Sequence, residues 1–223
     1  MHFYRHIKPV HRYTAKPGYF LFIYAVRFSL NTTAKLSNHF TSMIIQLCGL
    51  SGAGKSTITN AVKNRLQANG YQTEIIDGDE YRMALCKDLG FSMEDRHENI
   101  RRLAFIADRL SSHGIIVLIS AINPYEEIRL EVAKTYKNVR TVFVDCSIDM
   151  LLKRDTKGLY ARALLPDGHP EKISNLTGIN DRFDIPQNPD LHINTCTCSI
   201  KECTDKLFDY VASNWDTISS QYD

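Results

Sequence analysis

Eight residues, Gly49-Leu-Ser-Gly-Ala-Gly-Lys-Ser56, constrain the fold of this chain more than any other stretch. An apolar run, Met43-Ile-Ile-Gln-Leu-Cys48, leads into them, and Ile58, Ala61, Val62 and Leu66 recur at helical spacing behind them until Gly70. Gly-x4-Gly-Lys-Ser between a strand and a helix predicts a loop that wraps its N–H groups around phosphate oxygens. Glycines let the backbone curl, and the helix N-terminus adds the positive end of its dipole. Lys55 has the reach for β- and γ-phosphates, and the Ser56 hydroxyl is a natural Mg²⁺ ligand. A glycine-rich turn with a chance Lys-Ser is the alternative, and the flanking strand and helix argue against it. The expected contacts to a nucleoside triphosphate and its magnesium are therefore Gly49, Ser51, Gly52, Ala53, Gly54, Lys55, Ser56 and Thr57.

The rest of the chain alternates short apolar runs with amphipathic stretches, the pattern of a parallel sheet covered by helices. Further strands are expected at Thr73–Ile76, Ile115–Ile119, Val139–Val144 and Leu191–Ile193, the second of these apolar enough to be central. Ser92-Met-Glu-Asp95 opens a helix with a capping-box-like start, and Ile100, Leu103, Ala104, Ala107 and Leu110 mark its apolar face before Gly114. Residues 125–136 and roughly 200–214 read as helices. The expected fold is a three-layer α/β/α nucleotide-binding domain over residues 43–223, with a five-stranded, mostly parallel sheet. Between about residues 155 and 190 the periodicity breaks down into Gly, Pro, Asp and Asn. A stretch that long inside a compact domain reads as a lid.

Composition excludes several classes. The formal net charge of +2 hides an asymmetry: six of the 27 basic residues and none of the 25 acidic ones lie in residues 1–42. Residues 43–223 thus carry 21 basic against 25 acidic groups, a net of −4, which argues against a nucleic-acid-binding face. The apolar run Tyr19–Val26 is too short to span a bilayer, which takes about 20 residues. Three readings of residues 1–42 stand open: a targeting peptide, an extension without function, and an upstream start with the true one at Met43. The third is preferred, because strand pattern begins directly at Met43. The six cysteines show no CxxC pair and no histidine partners spaced for zinc, so reduced thiols in a cytoplasmic protein are expected.

A phosphate loop does not by itself separate kinases from other nucleotide-binding proteins. The chain contains no Asn-Lys-x-Asp guanine motif, and Asp77-Gly-Asp79 ends the second strand, where open α/β sheets place ligands. A carboxylate there accepts a hydroxyl proton or helps hold Mg²⁺, although a helix N-cap also explains an aspartate after a strand.

Around this motif the chain resembles the adenylylsulfate kinase (APS kinase) family over nearly all of residues 43–195. The matching pieces are Gly-Leu-Ser-Gly-Ala-Gly-Lys-Ser-Thr (49–57), Asp-Gly-Asp-Glu-Tyr-Arg (77–82), Leu-Gly-Phe-Ser (89–92) and Asp-Arg-His-Glu-Asn-Ile-Arg-Arg (95–102). Ala-Ile-Asn-Pro-Tyr (121–125), Arg-Asp-Thr-Lys-Gly-Leu-Tyr (154–160) and Leu-Thr-Gly-Ile-Asn (176–180) continue the series. The resemblance implies transfer of the ATP γ-phosphoryl group to the 3′-hydroxyl of adenosine 5′-phosphosulfate in sulfate assimilation, with Mg²⁺, in a homodimer. It assigns Arg82, Arg96 and Lys157 to the acceptor's anionic groups, Phe91 to its adenine, and Asn99, Ile122, Asn123 and Leu176 to the same pocket. Asp79 is the expected base and a candidate Mg²⁺ contact, with Asp77 in support. Arg154 stands between a contact to ATP phosphates and one at a helix end.

Three departures from the family pattern bear on this. Asn123 stands where many members have a serine before Pro-Tyr, and an amide cannot carry a phosphoryl group, so transfer should be direct and in line. Leu176 replaces a usual phenylalanine, and an aliphatic side chain stacks less well on adenine. The link Ala161–Asn175 is longer than usual.

Overall fold

The computed structural model describes residues 41–220, so the readings of residues 1–40 lie outside the described residues. Five strands, β1 (Met43–Cys48), β2 (Thr73–Asp77), β3 (Ile116–Ser120), β4 (Val139–Asp145) and β5 (Leu191–Asn194), form one sheet in the order β2-β3-β1-β4-β5. Every neighbouring pair is parallel, with Ile45 opposite Leu118 on one side of β1 and Arg140 on the other.

Alternation along the strands sorts the core into two faces. Met43, Ile45 and Leu47 of β1, with Ile116 and Leu118 of β3, join one buried cluster with Ile58, Val62 and Leu66 of α1 (Lys55–Ala68) and with Leu207 and Val211 of the C-terminal helix (Ile200–Ser219). Ile44, Val117 and Ile119 face the other way, against Ile100, Leu103 and Ala107 of α3 (Met93–Ser111) and Ile128 and Val132 of α4 (Glu126–Thr135). Two helical layers thus sandwich the sheet, as the apolar runs require. The central strands β1 and β3 have almost no accessible surface.

The expected cap at Ser92 is present: its Oγ accepts from Asp95 N at 3.1 Å. Three short helices were not legible as periodicity: α2 (Gly78–Leu85), α5 (Ile148–Arg154) and α6 (Leu159–Ala163). No residue of α2 is buried, so it has no apolar stripe to read. The expected aperiodic stretch 155–190 contains α6 and a single bridge between Thr177 and Asp181. The C-terminal helix, α7, runs on to Ser219 behind a capping box in which Ser199 and Glu202 satisfy each other's N–H groups. Among the described residues no helix is long and apolar enough to cross a membrane.

Strand order makes β1 the turning point, with β3 on one side and β4 on the other. Ligands in open α/β sheets gather outside the carboxyl ends of strands at such a point. The loops after β1, β2, β3 and β5 all open into one cavity there.

Candidate active site

The cavity at the strand ends holds about 650 Å³, and another, between residues 143–148 and 178–185, holds about 660 Å³. Volume does not separate them, but chemistry does. The first is lined by the loop Ser51–Ser56 and by Lys55, Arg82, Arg96, Arg154 and Lys157 against two carboxylates, Asp77 and Asp79. Five cations facing two anions leave a local positive excess, suited to polyanionic ligands.

The glycines of the phosphate loop are there for geometry. Gly49 sits at φ +149°, and a Cβ on it would collide with the Val144 carbonyl of β4. Gly54, at φ +100°, is the left-handed residue that turns the chain into α1, leaving the helix's first N–H groups facing the cavity. Lys55 lies across the loop, donating from Nζ to the carbonyls of Gly49 (2.8 Å) and Leu50 (2.9 Å). Burial pushes its ammonium down to about 8.

That shift carries a testable sign. Below pH 8 Lys55 is already charged in the free protein, so binding a polyphosphate takes up no proton. Above pH 8 the free protein holds Lys55 neutral while the anion favours the charged form, so binding must take up a proton. Nucleoside triphosphate affinity is expected to fall by up to about tenfold per pH unit above 8. Calorimetry in buffers of different ionisation enthalpy should show proton uptake near zero at pH 7, rising toward one at pH 9.

Asp77 performs two tasks. Its Oδ1 caps α2 by accepting from Asp79 N (3.0 Å) and Glu80 N (3.4 Å), and its Oδ2 accepts from Ser56 Oγ (2.9 Å). The Ser120 hydroxyl, at the end of β3, lies 3.3 Å from that of Ser56. Ser56, Asp77 and Ser120 thus put hard oxygen donors beside the phosphate cradle. Among the described residues no three His, Cys, Asp or Glu side chains are grouped to chelate a metal by themselves. A cation here would complete its shell with water and phosphate oxygens, which is the habit of Mg²⁺. The donor set therefore fits magnesium.

Asp79, in the first turn of α2, points its Oδ2 at Lys157 Nζ, 2.7 Å away across the cavity. Phe91 is 55% exposed, with the guanidinium groups of Arg82 and Arg96 at 4.5 and 5.6 Å from its ring centroid. Arg82 is held by the carbonyls of Leu89 and Gly90. Asn99, one helical turn beyond Arg96, is buried at the wall with no partner for its Oδ1. A buried acceptor left empty is costly unless a ligand or water fills it.

Asn123 and Ile122 follow β3. Ile122 accepts from Gly49 N (3.1 Å), tying this wall to the phosphate loop. Asn123 sits at φ +45°, a left-handed conformation that asparagine tolerates better than most residues, and donates to Gln46 Oε1 at 3.2 Å. Arg129, almost wholly buried, holds this turn through the Asn123 carbonyl at 2.7 Å.

The structure brings together the residues expected from the sequence except at two positions. Gly49 lies outside the cavity lining and meets it through its carbonyl, which accepts from Lys55 Nζ. Leu176 is 6% exposed and belongs to the core cluster with Tyr160 and Ala163, outside the cavity lining. Arg154 lines the cavity and also makes the strand-end contact, donating to the Thr195 carbonyl at 2.8 Å.

One whole wall went unread: Thr195, Cys198 and Ser199 from the β5–α7 turn, with Ile200 and Cys203 from the first turn of α7. Its signal was Ser199-x-x-Glu202 directly after a strand, a helix start at the edge where ligands gather. All six cysteines are free, and the Sγ atoms of Cys146 and Cys196 approach to 3.4 Å.

The chain is similar to known proteins in sequence and fold. The adenylylsulphate kinase family model matches residues 41–194. An adenylyl-sulfate kinase of Chloroflexus aurantiacus is 46% identical over 167 residues, covering 75% of this chain and 87% of the relative. One from Deinococcus deserti is 43% identical over 174 residues, covering 78% and 93%. The Mycobacterium tuberculosis APS kinase CysC, solved in complex with AMPPNP and APS, superposes with a TM-score of 0.72 at 36% identity, over 77% of this chain and 98% of that one.

Proposed function

The chain belongs to the adenylylsulphate kinase family, and on that premise we propose that it transfers the γ-phosphoryl group of ATP to the 3′-hydroxyl of adenosine 5′-phosphosulfate. The product is 3′-phosphoadenosine 5′-phosphosulfate, the activated sulfate of assimilation. The observation that carries this reading is that one cavity joins a phosphate loop to a second set of anion-binding and aromatic groups, Arg82, Phe91, Arg96, Asn99 and Lys157, with Asp79 lining the same space.

The donor's phosphates rest on the N–H groups of the 50–55 loop and on Lys55, which exchanges its two carbonyl partners for phosphate oxygens. Its nucleoside extends toward Arg154 and the Thr195–Cys203 wall, away from Asp79. Ser56 and Asp77 would hold magnesium, which when bound supplies positive charge to the phosphates being rearranged. On the other side Arg82, Arg96 and Lys157 neutralise the phosphosulfate, and Phe91 offers its exposed ring to the adenine. Asn99 presents its empty Oδ1 to a donor on the sugar. Asp79 then accepts the proton of the 3′-hydroxyl as that oxygen attacks. Asn123 offers no nucleophile, so the phosphoryl group passes directly between the two nucleotides. Leu176, buried in the core, makes no stacking contact here.

The test is incubation with Mg·ATP and adenosine 5′-phosphosulfate. Stoichiometric ADP and 3′-phosphorylated product are expected. Absence of that product, with phosphorylation of a different hydroxyl acceptor, would overturn the reading.

A further inference from the structure

We propose that Asp181 is a positioning residue for the acceptor anion, holding the Arg96 guanidinium at the cavity wall and coupling its aim to the turn at residues 176–182. The inference rests on the acceptor reading above.

Arg96 is held from three directions. Its Nε donates to the Phe91 carbonyl at 3.1 Å, and its Nη2 donates to the Asn175 carbonyl at 2.7 Å. The same Nη2 lies 2.9 Å from Asp181 Oδ2. Asp181 is in turn oriented by Tyr125 and by the backbone of Arg182. The buried phenol of Tyr125 donates to both carboxylate oxygens, at 3.2 and 3.4 Å, and the Arg182 N–H donates to Oδ1 at 2.8 Å. Burial, and then the Asp181 charge, push the Tyr125 phenol above its ordinary range, which keeps it a donor.

The backbone of Asp181 closes the turn. Its N–H donates to Leu176 O at 3.2 Å, and its carbonyl accepts from Gly178 N at 2.7 Å. Gly178, at φ +90°, sits against Leu50: a Cβ there would come within 2.6 Å of Leu50 Cδ2. Leu50 belongs to the phosphate loop. The turn that aims the acceptor's arginine therefore rests on the loop that cradles the donor.

An arginine on a free stem loses rotamer entropy when an anion captures it. A guanidinium already fixed through Nε and Nη2 has met that cost during folding, and among the described residues its Nη1 donates to no protein acceptor. Asp181 also opposes anion binding by lending Arg96 a counter-charge, and experiment separates the two effects.

Asp181→Asn keeps the shape and still accepts from Tyr125 and Arg182 but turns an amide N–H toward Arg96. In the intact protein it is expected to raise KM for adenosine 5′-phosphosulfate about tenfold, with KM for Mg·ATP within about twofold and kcat within about threefold. In an Arg96→Gln background the same substitution should raise KM by less than about twofold, because the group through which it acts is gone. Unchanged Mg·ATP KM establishes that the variant is folded. A tenfold rise in both backgrounds, a parallel rise for Mg·ATP, or a fall in acceptor KM would overturn the proposal. Wild-type protein that makes no 3′-phosphorylated product would instead overturn the parent reading, so the two failures are distinct.

Discussion

Asp79→Asn is expected to lower kcat by about two to three orders of magnitude while changing affinity for an ATP analogue by less than about twofold. The carboxylate makes no contact on which the fold depends. It is 75% exposed, and its side-chain partner is Lys157 Nζ at 2.7 Å. Asparagine keeps the size and leaves the helix start intact, because the cap belongs to Asp77. Under the proposed mechanism, what disappears is the capacity to take a proton from the attacking hydroxyl, together with the counter-charge that pairs with Lys157. Asp77 cannot substitute: Oδ1 is engaged by two N–H groups of α2 and Oδ2 by Ser56. Steady-state turnover beside a titration of the nonhydrolysable nucleotide checks both halves. Unchanged turnover would remove Asp79 from the chemistry. Asp77→Asn is a useful contrast, since it should weaken nucleotide and magnesium binding while leaving stability nearly unchanged, because an asparagine Oδ1 caps a helix about as well as an aspartate's.

The parts of the fold legible in the sequence were those where burial on a sheet or one helix face dictates residue type. β1 and β3 are surrounded on both faces, so their runs are apolar except for Gln46 and the terminal Ser120, and their boundaries fell within a residue of the structure. α1 and α3 carry apolar stripes because each covers one face of the sheet. α2 and α6 escaped for the opposite reason: α2 buries no side chain, and α6 is five residues long, too short to show a period. Hydrophobic pattern reports what is covered, and short helices at the rim of a cleft cover little.

The site was legible wherever chemistry forces a residue type at fixed spacing. Phosphate binding requires Gly49, Gly54, Lys55 and Ser56 in that order, and a capped helix after Asp77 brings Asp79 to the cavity. Leu176 shows the limit of motif reasoning. It lies in a matching segment, yet the turn that follows it is bent by Gly178 onto Leu50, and the side chain goes into the core. Arg129 was invisible for a related reason. An arginine on a helix reads as surface charge, whereas this one is 1% exposed and satisfied by Glu126 and by the carbonyls of Asn123 and Asp184. Only three-dimensional neighbours reveal that a buried charge is paired.

Gly49→Ala is expected to destabilise the protein by at least about 3 kcal/mol and to abolish nucleotide binding in whatever fraction remains folded. Conformation alone does not account for that figure. Gly70, at φ +88°, also has a conformation hostile to alanine, but a Cβ there would meet nothing within 4 Å, so Gly70→Ala should cost only about 1–2 kcal/mol. At Gly49 the added carbon meets the Val144 carbonyl, and Val144 lies in β4, hydrogen-bonded beside β1 with Cys48 opposite Phe143. Backbone held in a sheet cannot rotate aside as a side chain does. The strain must part β1 from β4 or displace the start of the phosphate loop. Displacement reaches the chemistry at once: the Gly49 N–H is bound to Ile122 O and its carbonyl holds Lys55 Nζ. For a domain of this size a loss of 3 kcal/mol lowers Tm by about 6–12 °C. Thermal melting of both variants, with and without an ATP analogue, separates the contributions. Gly70→Ala should still gain stability from the ligand, and Gly49→Ala should not. Equal melting temperatures for the two would show that the strand beneath the loop yields, and that close approach to β4 is not what requires glycine there.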